Sequence, residues 1–265
     1  MTHQFDFSEK NSRSKIMNLE IRVESIPLIE QLIAHEIGHA VGMIINDHLT
    51  TPFGTPKQIS FEHGDPSFKY DFTDEVFRVA CRAVDKDFYG LKGFEINTYI
   101  DCSRTINFIN KSYDIARFPP YIGYVIMGGL LHLYSDSKLK GYELEDKHFD
   151  DIYSDNDDKD RTLIIGAAGS DWTTVRTLCG IYQIDYDYLK TYRRELYTIA
   201  LSTGFFDCIY KFIEHIKNQS TPVYIGDELS QFYYELKEHV EFCGDFKIFL
   251  EKLRSLNQSF TEQIK

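Results

Sequence analysis

Between residues 26 and 47, Ile26, Ile29, Ile33, Ile37, Val41 and Ile44 recur at intervals of three and four. That period lines one face of an α-helix. Leu28, Leu32 and Met43 fall near the opposite side, so the spacing predicts a helix buried all round. Ser25 suits its N-cap and Pro27 its first turn. A second apolar run, from Tyr121 to Leu133, follows Pro119 and Pro120. It is too short to span a bilayer and predicts a buried helix ending near Tyr134. Further helices are expected at 73–84, behind Thr73-Asp74-Glu75, in part of 103–113, and from Ser170-Asp171 onward. The C-terminal third predicts three more, at 186–203, 205–217 and 227–256. In the last of these Phe232, Leu236, Val240, Phe246, Phe249 and Leu250 face a core. Asp227 and Glu228 suit the positive end of its dipole. Two stretches read as strands, 19–23 and 57–63, the second bounded by Pro56 and by Gly64-Asp65-Pro66. The fold class is mainly α with a small β element.

Residues 1–15 are polar and form a loose N-terminal tail. They lack the apolar core of a secretory signal. Residues 16–265 read as a single domain, with insertions around 64–116 and 138–162. The second insertion holds a run of aspartates at 155–160 that fails the calcium-loop pattern, because Lys159 and Asp160 stand where a ligand and a glycine are needed. It reads as a solvated acidic loop. A net charge of −12 with no basic block argues against nucleic acid and anionic membranes as partners. The five cysteines are dispersed and form no CxxC, which predicts reduced thiols and a cytoplasmic protein.

The first helix carries the chemistry. Residues 35–39 read His35-Glu36-Ile37-Gly38-His39, an HExxH pentad. Histidines at i and i+4 share a helix face and reach one Zn²⁺, with Glu36 beside them as the general base for a water. Chance would produce such a pentad in on the order of one chain in fifty of this composition. Two histidines on a buried helix need partners, and a metal supplies one. A zinc hydrolase site takes three protein ligands and leaves one position open. The metzincin pattern is excluded, because position 45 is Ile. A thermolysin-like arrangement would draw a glutamate from a later helix, and Glu75 fits that loosely.

Ala34 to Gly42 (AHEIGHAVG) resembles the HEAGHA segment of FtsH-type zinc peptidases, the proteolytic domain of membrane AAA proteases. Three further segments follow in that family's order. Pro56 to Phe61 looks like its strand, Tyr121 to Leu131 with Met127-Gly128-Gly129 is similar to its LGGRAAE helix, and Gly166 to Asp171 (GAAGSD) resembles its TGASND. The resemblance spans roughly residues 26–215. It implies a compact helical zinc-peptidase domain with Asp171 as third ligand to the metal. The chain departs from the family at Leu130 to Tyr134, where its acidic residues are missing and His132 stands instead. It also lacks any GxxxxGK[ST] phosphate loop and therefore an AAA motor.

These observations lead to an expected Zn²⁺-dependent endopeptidase acting on unfolded or exposed polypeptide segments. His35, His39 and Asp171 hold the metal, and Glu36 is catalytic. The rivals are a zinc-bound regulatory protein without activity, and a Glu-liganded regulator-type metallopeptidase using Glu75. Homo-oligomerisation, or a separate partner that unfolds substrates, stays open. His132 is read as a core histidine rather than a partner of the site. His48 and His63 are read as surface or strand histidines, and Trp172 as packing beside the site.

Overall fold

A computed structural model of the chain describes residues 29–49, 54–62, 67–74, 114–145, 148, 169–218 and 223–264. The elements are α1 (Ile29–Leu49), β1 (Gly54–Ser60), β2 (Ser67–Phe72), a 3₁₀ turn (Ile115–Arg117), α2 (Phe118–Lys140), α3 (Gly169–Tyr182), α4 (Tyr186–Ser202), α5 (Phe205–Ile216), β3 (Val223–Ile225), α6 (Gly226–Glu241) and α7 (Phe246–Gln263). The fold is mainly α with one three-stranded antiparallel sheet, order β2-β1-β3. No described helix is long and apolar enough to cross a membrane.

Every residue of α1 from Gln31 to Asn46 is buried. Of the predicted stripe, Ile33, Ile37, Val41 and Ile44 sit in the core, and so do Leu32 and Met43 on the other side; Ile29, at the first position of α1, is instead 46% exposed, and Ile26 and Leu28 lie outside the described residues. α2 is the main partner of α1. The two backbones touch, because glycines stand at the crossing. A Cβ on Gly38 would lie 2.6 Å from Gly128 Cα and from the Met127 carbonyl oxygen. One on Gly42 would lie 2.9 Å from Tyr124 Cα. Helices can pack this closely only where side chains are absent on the shared line.

α2 is longer at both ends than the apolar run predicts. Its first turn includes Pro119 and Pro120, which need no N–H there. Its last turn is polar and stops at Gly141, whose φ of 68° is left-handed. The N–H groups of Gly141 and Tyr142 both donate to the Ser137 carbonyl, at 2.9 and 3.2 Å, closing the helix.

β1 is central. It pairs with β2 from Gly54↔Phe72 to Ser60↔Ser67, with an irregularity between Pro56 and Gln58, and with β3 from Gln58↔Ile225 to Ser60↔Val223. Its Ile59 turns inward to the helical core. The strand expected at 57–63 is thus shifted to Gly54–Ser60. β2 lies inside the stretch read from the sequence as an insertion.

The single helix expected over 227–256 is two helices. The spacing of Phe232, Leu236 and Val240 would continue at 243–244, where Cys243 and Gly244 stand, and a glycine interior costs about 1 kcal/mol relative to alanine. The chain turns there and restarts at Phe246, whose neighbour Phe249 stacks on Phe205 of α5 at 4.1 Å. The reduced-thiol expectation also needs correction at this turn, because Cys243 is bonded to Cys208 of α5 as a disulfide. Cys179 is free and buried. Cys81 and Cys102 lie outside the described residues. So do the tail at 1–15, the strand expected at 19–23, Ser25 and Pro27, the helices expected at 73–84 and 103–113 (apart from Thr73 and Asp74), and the acidic run at 155–160.

Candidate metal centre

α1 delivers His35, Glu36 and His39, with 4%, 5% and 6% of their surfaces exposed. The first turn of α3 delivers Asp171 across the core, 132 positions beyond His39 in the chain. His35 Nε2 and His39 Nε2 each stand 3.2 Å from Asp171 Oδ2, and 3.2 Å from one another. The three atoms form an equilateral triangle. In a tetrahedron with metal–ligand arms of about 2.0 Å, the donor atoms stand about 3.3 Å apart. The triangle therefore has an edge length that suits a tetrahedrally coordinated metal ion with three protein ligands, which leave the fourth corner open.

The electrostatics point the same way. Two imidazole nitrogens and a carboxylate oxygen converge on one point, and convergent lone pairs need a cation between them. Without a metal, a proton takes that place. Burial alone pushes His39 down, but the Asp171 carboxylate, with a smaller push from Glu36, outweighs it and raises its pKa to about 9. Burial pushes Asp171 up, and the two imidazoles override it, holding its carboxyl well below the usual carboxylate range.

Neighbouring groups frame the triangle. The rings of His35 and His39 meet edge to face at 4.8 Å, and Tyr124 of α2 tilts over His39 at 5.3 Å. The Tyr124 backbone carbonyl favours the protonated His39 ring, although it lies outside hydrogen-bond geometry from Nδ1. Gly128 is a close neighbour as well: a Cβ there would come within 2.7 Å of His39 Cε1 and Nε2.

The sequence reading missed a second polar layer one turn further along. Gln31, four residues before His35, donates through Nε2 to Asp136 Oδ1 of α2. Asp136 also accepts from Tyr142 Oη at 2.7 Å and pairs with Lys140 Nζ at 2.8 Å. The signal for Gln31 was its spacing from His35, and for Asp136 its spacing from His132. His132 is 2% exposed, as a core histidine would be. Its ring nevertheless stands edge-on to His35 at 6.0 Å. Burial, reinforced by His35, pushes its pKa down to about 3.

The remaining candidates stand apart. His48 is at the surface and bonds Glu241 Oε1 at 2.9 Å. Glu75, His63 and the Trp172 side chain lie outside the described residues, as do Gly166, Ala167 and Ala168 of the GAAGSD segment. No protein-family model, no curated protein and no solved structure matches the chain.

Proposed function

We propose that this chain is a zinc-dependent endopeptidase that hydrolyses peptide bonds in unfolded or exposed segments, related to the FtsH-type peptidases and acting without a motor of its own. The observation that carries the reading is the triangle of His35 Nε2, His39 Nε2 and Asp171 Oδ2 at 3.2 Å edges, with Glu36 adjacent in the same buried helix. His35, His39 and Asp171 would hold the zinc. The ion would supply Lewis acidity, polarising a scissile carbonyl and lowering the pKa of water toward 7.

The chain's own residues do the rest. Glu36 accepts a proton from the attacking water as its oxygen bonds to the carbonyl carbon. It then passes that proton to the amine nitrogen as the C–N bond breaks. The close crossing of α1 and α2 at Gly38 and Gly128 supports the helix that carries His35 and His39.

The test is joint measurement of metal and cleavage. The purified protein is expected to carry about one zinc per chain and to cut an unfolded casein-like substrate in a chelator-sensitive way. Zinc without cleavage would favour a regulatory metal-binding protein, and absence of zinc with no effect of added zinc on stability would overturn the reading.

A further inference from the structure

Coordination through Nε2 leaves each ring with an Nδ1–H, and metal-bound histidines almost always give that hydrogen to an acceptor that fixes their tautomer and orientation. His39 Nδ1 lies outside hydrogen-bond geometry from any partner among the described residues, but the Tyr124 backbone beside it favours the protonated ring. For His35 Nδ1, no atom of the described residues is within hydrogen-bond geometry. The ring of His132 on α2 faces His35, and both of its nitrogens are buried and without a partner among the described residues. One helical turn on, Ser135 Oγ is buried in the same condition. Four buried polar atoms on two packed helices thus have no partner among the described residues, and buried polar groups are as a rule hydrogen-bonded, to protein or to ordered water.

The two rings cannot bond directly. A ring nitrogen stands about 1.2 Å from its centroid, so centroids 6.0 Å apart keep the nitrogens at least about 3.6 Å from each other, beyond hydrogen-bond range. A water can bridge nitrogens that stand too far apart to bond directly, and a buried water typically makes about three hydrogen bonds to groups of this kind.

We propose, resting on the zinc reading above, that His132 is the positioning residue for His35. It acts through one buried water that accepts from His35 Nδ1–H and donates to a ring nitrogen of His132, with Ser135 Oγ as the water's third partner. This pins His35 in the Nε2-coordinating tautomer. His132 touches neither metal nor substrate. It accounts for an otherwise costly arrangement, a histidine buried at 2% exposure on an apolar helix.

The experiment measures zinc affinity by chelator competition for the wild type, His132→Leu, His132→Gln and Ser135→Ala, with the stability of each zinc-free protein alongside. His132→Leu is expected to weaken zinc binding 10- to 100-fold while leaving the zinc-free protein as stable as the wild type or more so. His132→Gln keeps a hydrogen-bonding group and is expected to recover most of the affinity. Ser135→Ala is expected to have a smaller effect in the same direction. In the zinc-loaded wild type, nitrogen-15 spectra are expected to place the His35 proton on Nδ1, protected from exchange, and this measurement needs no variant to fold. Wild-type zinc affinity in His132→Leu, or an exchange-labile His35 Nδ1 proton, would overturn the role of His132 and leave the zinc reading standing. Failure of the wild type itself to bind zinc would overturn both.

Discussion

Gly38 of α1 and Gly128 of α2 meet backbone to backbone, and each position is closed to a side chain for a different reason. A Cβ on Gly38 strikes the Gly128 backbone, whereas a Cβ on Gly128 strikes the His39 ring at 2.7 Å. Gly38 therefore sets how closely the two helices approach, and Gly128 leaves room for the ring of His39, a candidate metal ligand.

Gly38→Ala is expected to destabilise the protein by about 3 kcal/mol, at the upper end of overpacking costs, because its obstacle is backbone. Gly244→Ala, where an added Cβ meets nothing within 4 Å, is the control and is expected to be nearly neutral. Denaturant unfolding of both variants checks this; equal stabilities would show that α1 and α2 do not cross as described.

Asp171→Asn is expected to lower zinc affinity about 10-fold or more, since it replaces an anionic donor with a neutral amide. Glu75→Gln is expected to leave affinity unchanged. Chelator competition on the two variants discriminates the ligand sets. Loss of metal on changing Glu75 and retention on changing Asp171 would replace the aspartate ligand with a glutamate one.

Glu36→Gln is expected to retain zinc and fold yet lose at least about 100-fold in cleavage of an unfolded chain, the contribution typical of a general base. Gln keeps the shape and hydrogen bonding but takes no proton at neutral pH. Cleavage equal to that of the wild type would mean that another base, or another protease, is at work.

The zinc-free protein is expected to be most stable near pH 6.5. The His39 pKa is raised from 6.5 to about 9, so its contribution is complete below 6.5 and fades as pH climbs to 9. The His132 pKa is lowered from 6.5 to about 3, so the unfolded chain takes up a proton first and stability falls as pH drops from 6.5 toward 3. Asp171 is depressed, and its contribution is lost only as pH falls below its ordinary 3.8. Unfolding in a chelating buffer across pH 4–9 checks the profile, and His132→Leu is expected to flatten its acidic limb. Zinc competes with the His39 proton, so apparent zinc affinity is expected to rise with pH up to about 9.

Much of this arrangement was legible because it is written locally. The pentad and the isoleucine spacing of α1 lie within one helix, and periodicity reports such features directly. Asp171 was reachable only through the GAAGSD resemblance, since nothing local distinguishes a ligand from an aspartate in a first helical turn. Gln31 and Asp136 meet across 105 positions, a separation on which residue spacing is silent. His132 sits in an apolar run where its period matches that of its leucine neighbours, so its contact with His35 had no signature. β3 is three residues long and exists because β1 offers an edge. The break between α6 and α7 was present in the sequence as Gly244, and continuous amphipathicity on both sides hid it.

The burial of α1 on every side has a consequence for how the chain is made. During synthesis α1 leaves the ribosome ahead of nearly all its neighbours, which include α2, α5, α6 and α7. Sixteen consecutive residues, Gln31 to Asn46, all of them buried in the folded protein, wait for these partners. At translation rates of about 5–20 residues per second, the interval before the end of α7 emerges is roughly ten to forty seconds. The nascent segment that carries two of the three candidate metal ligands gains its main partner once α2 is complete at Lys140, less than halfway through that interval, and the triangle itself cannot close until α3 has been made.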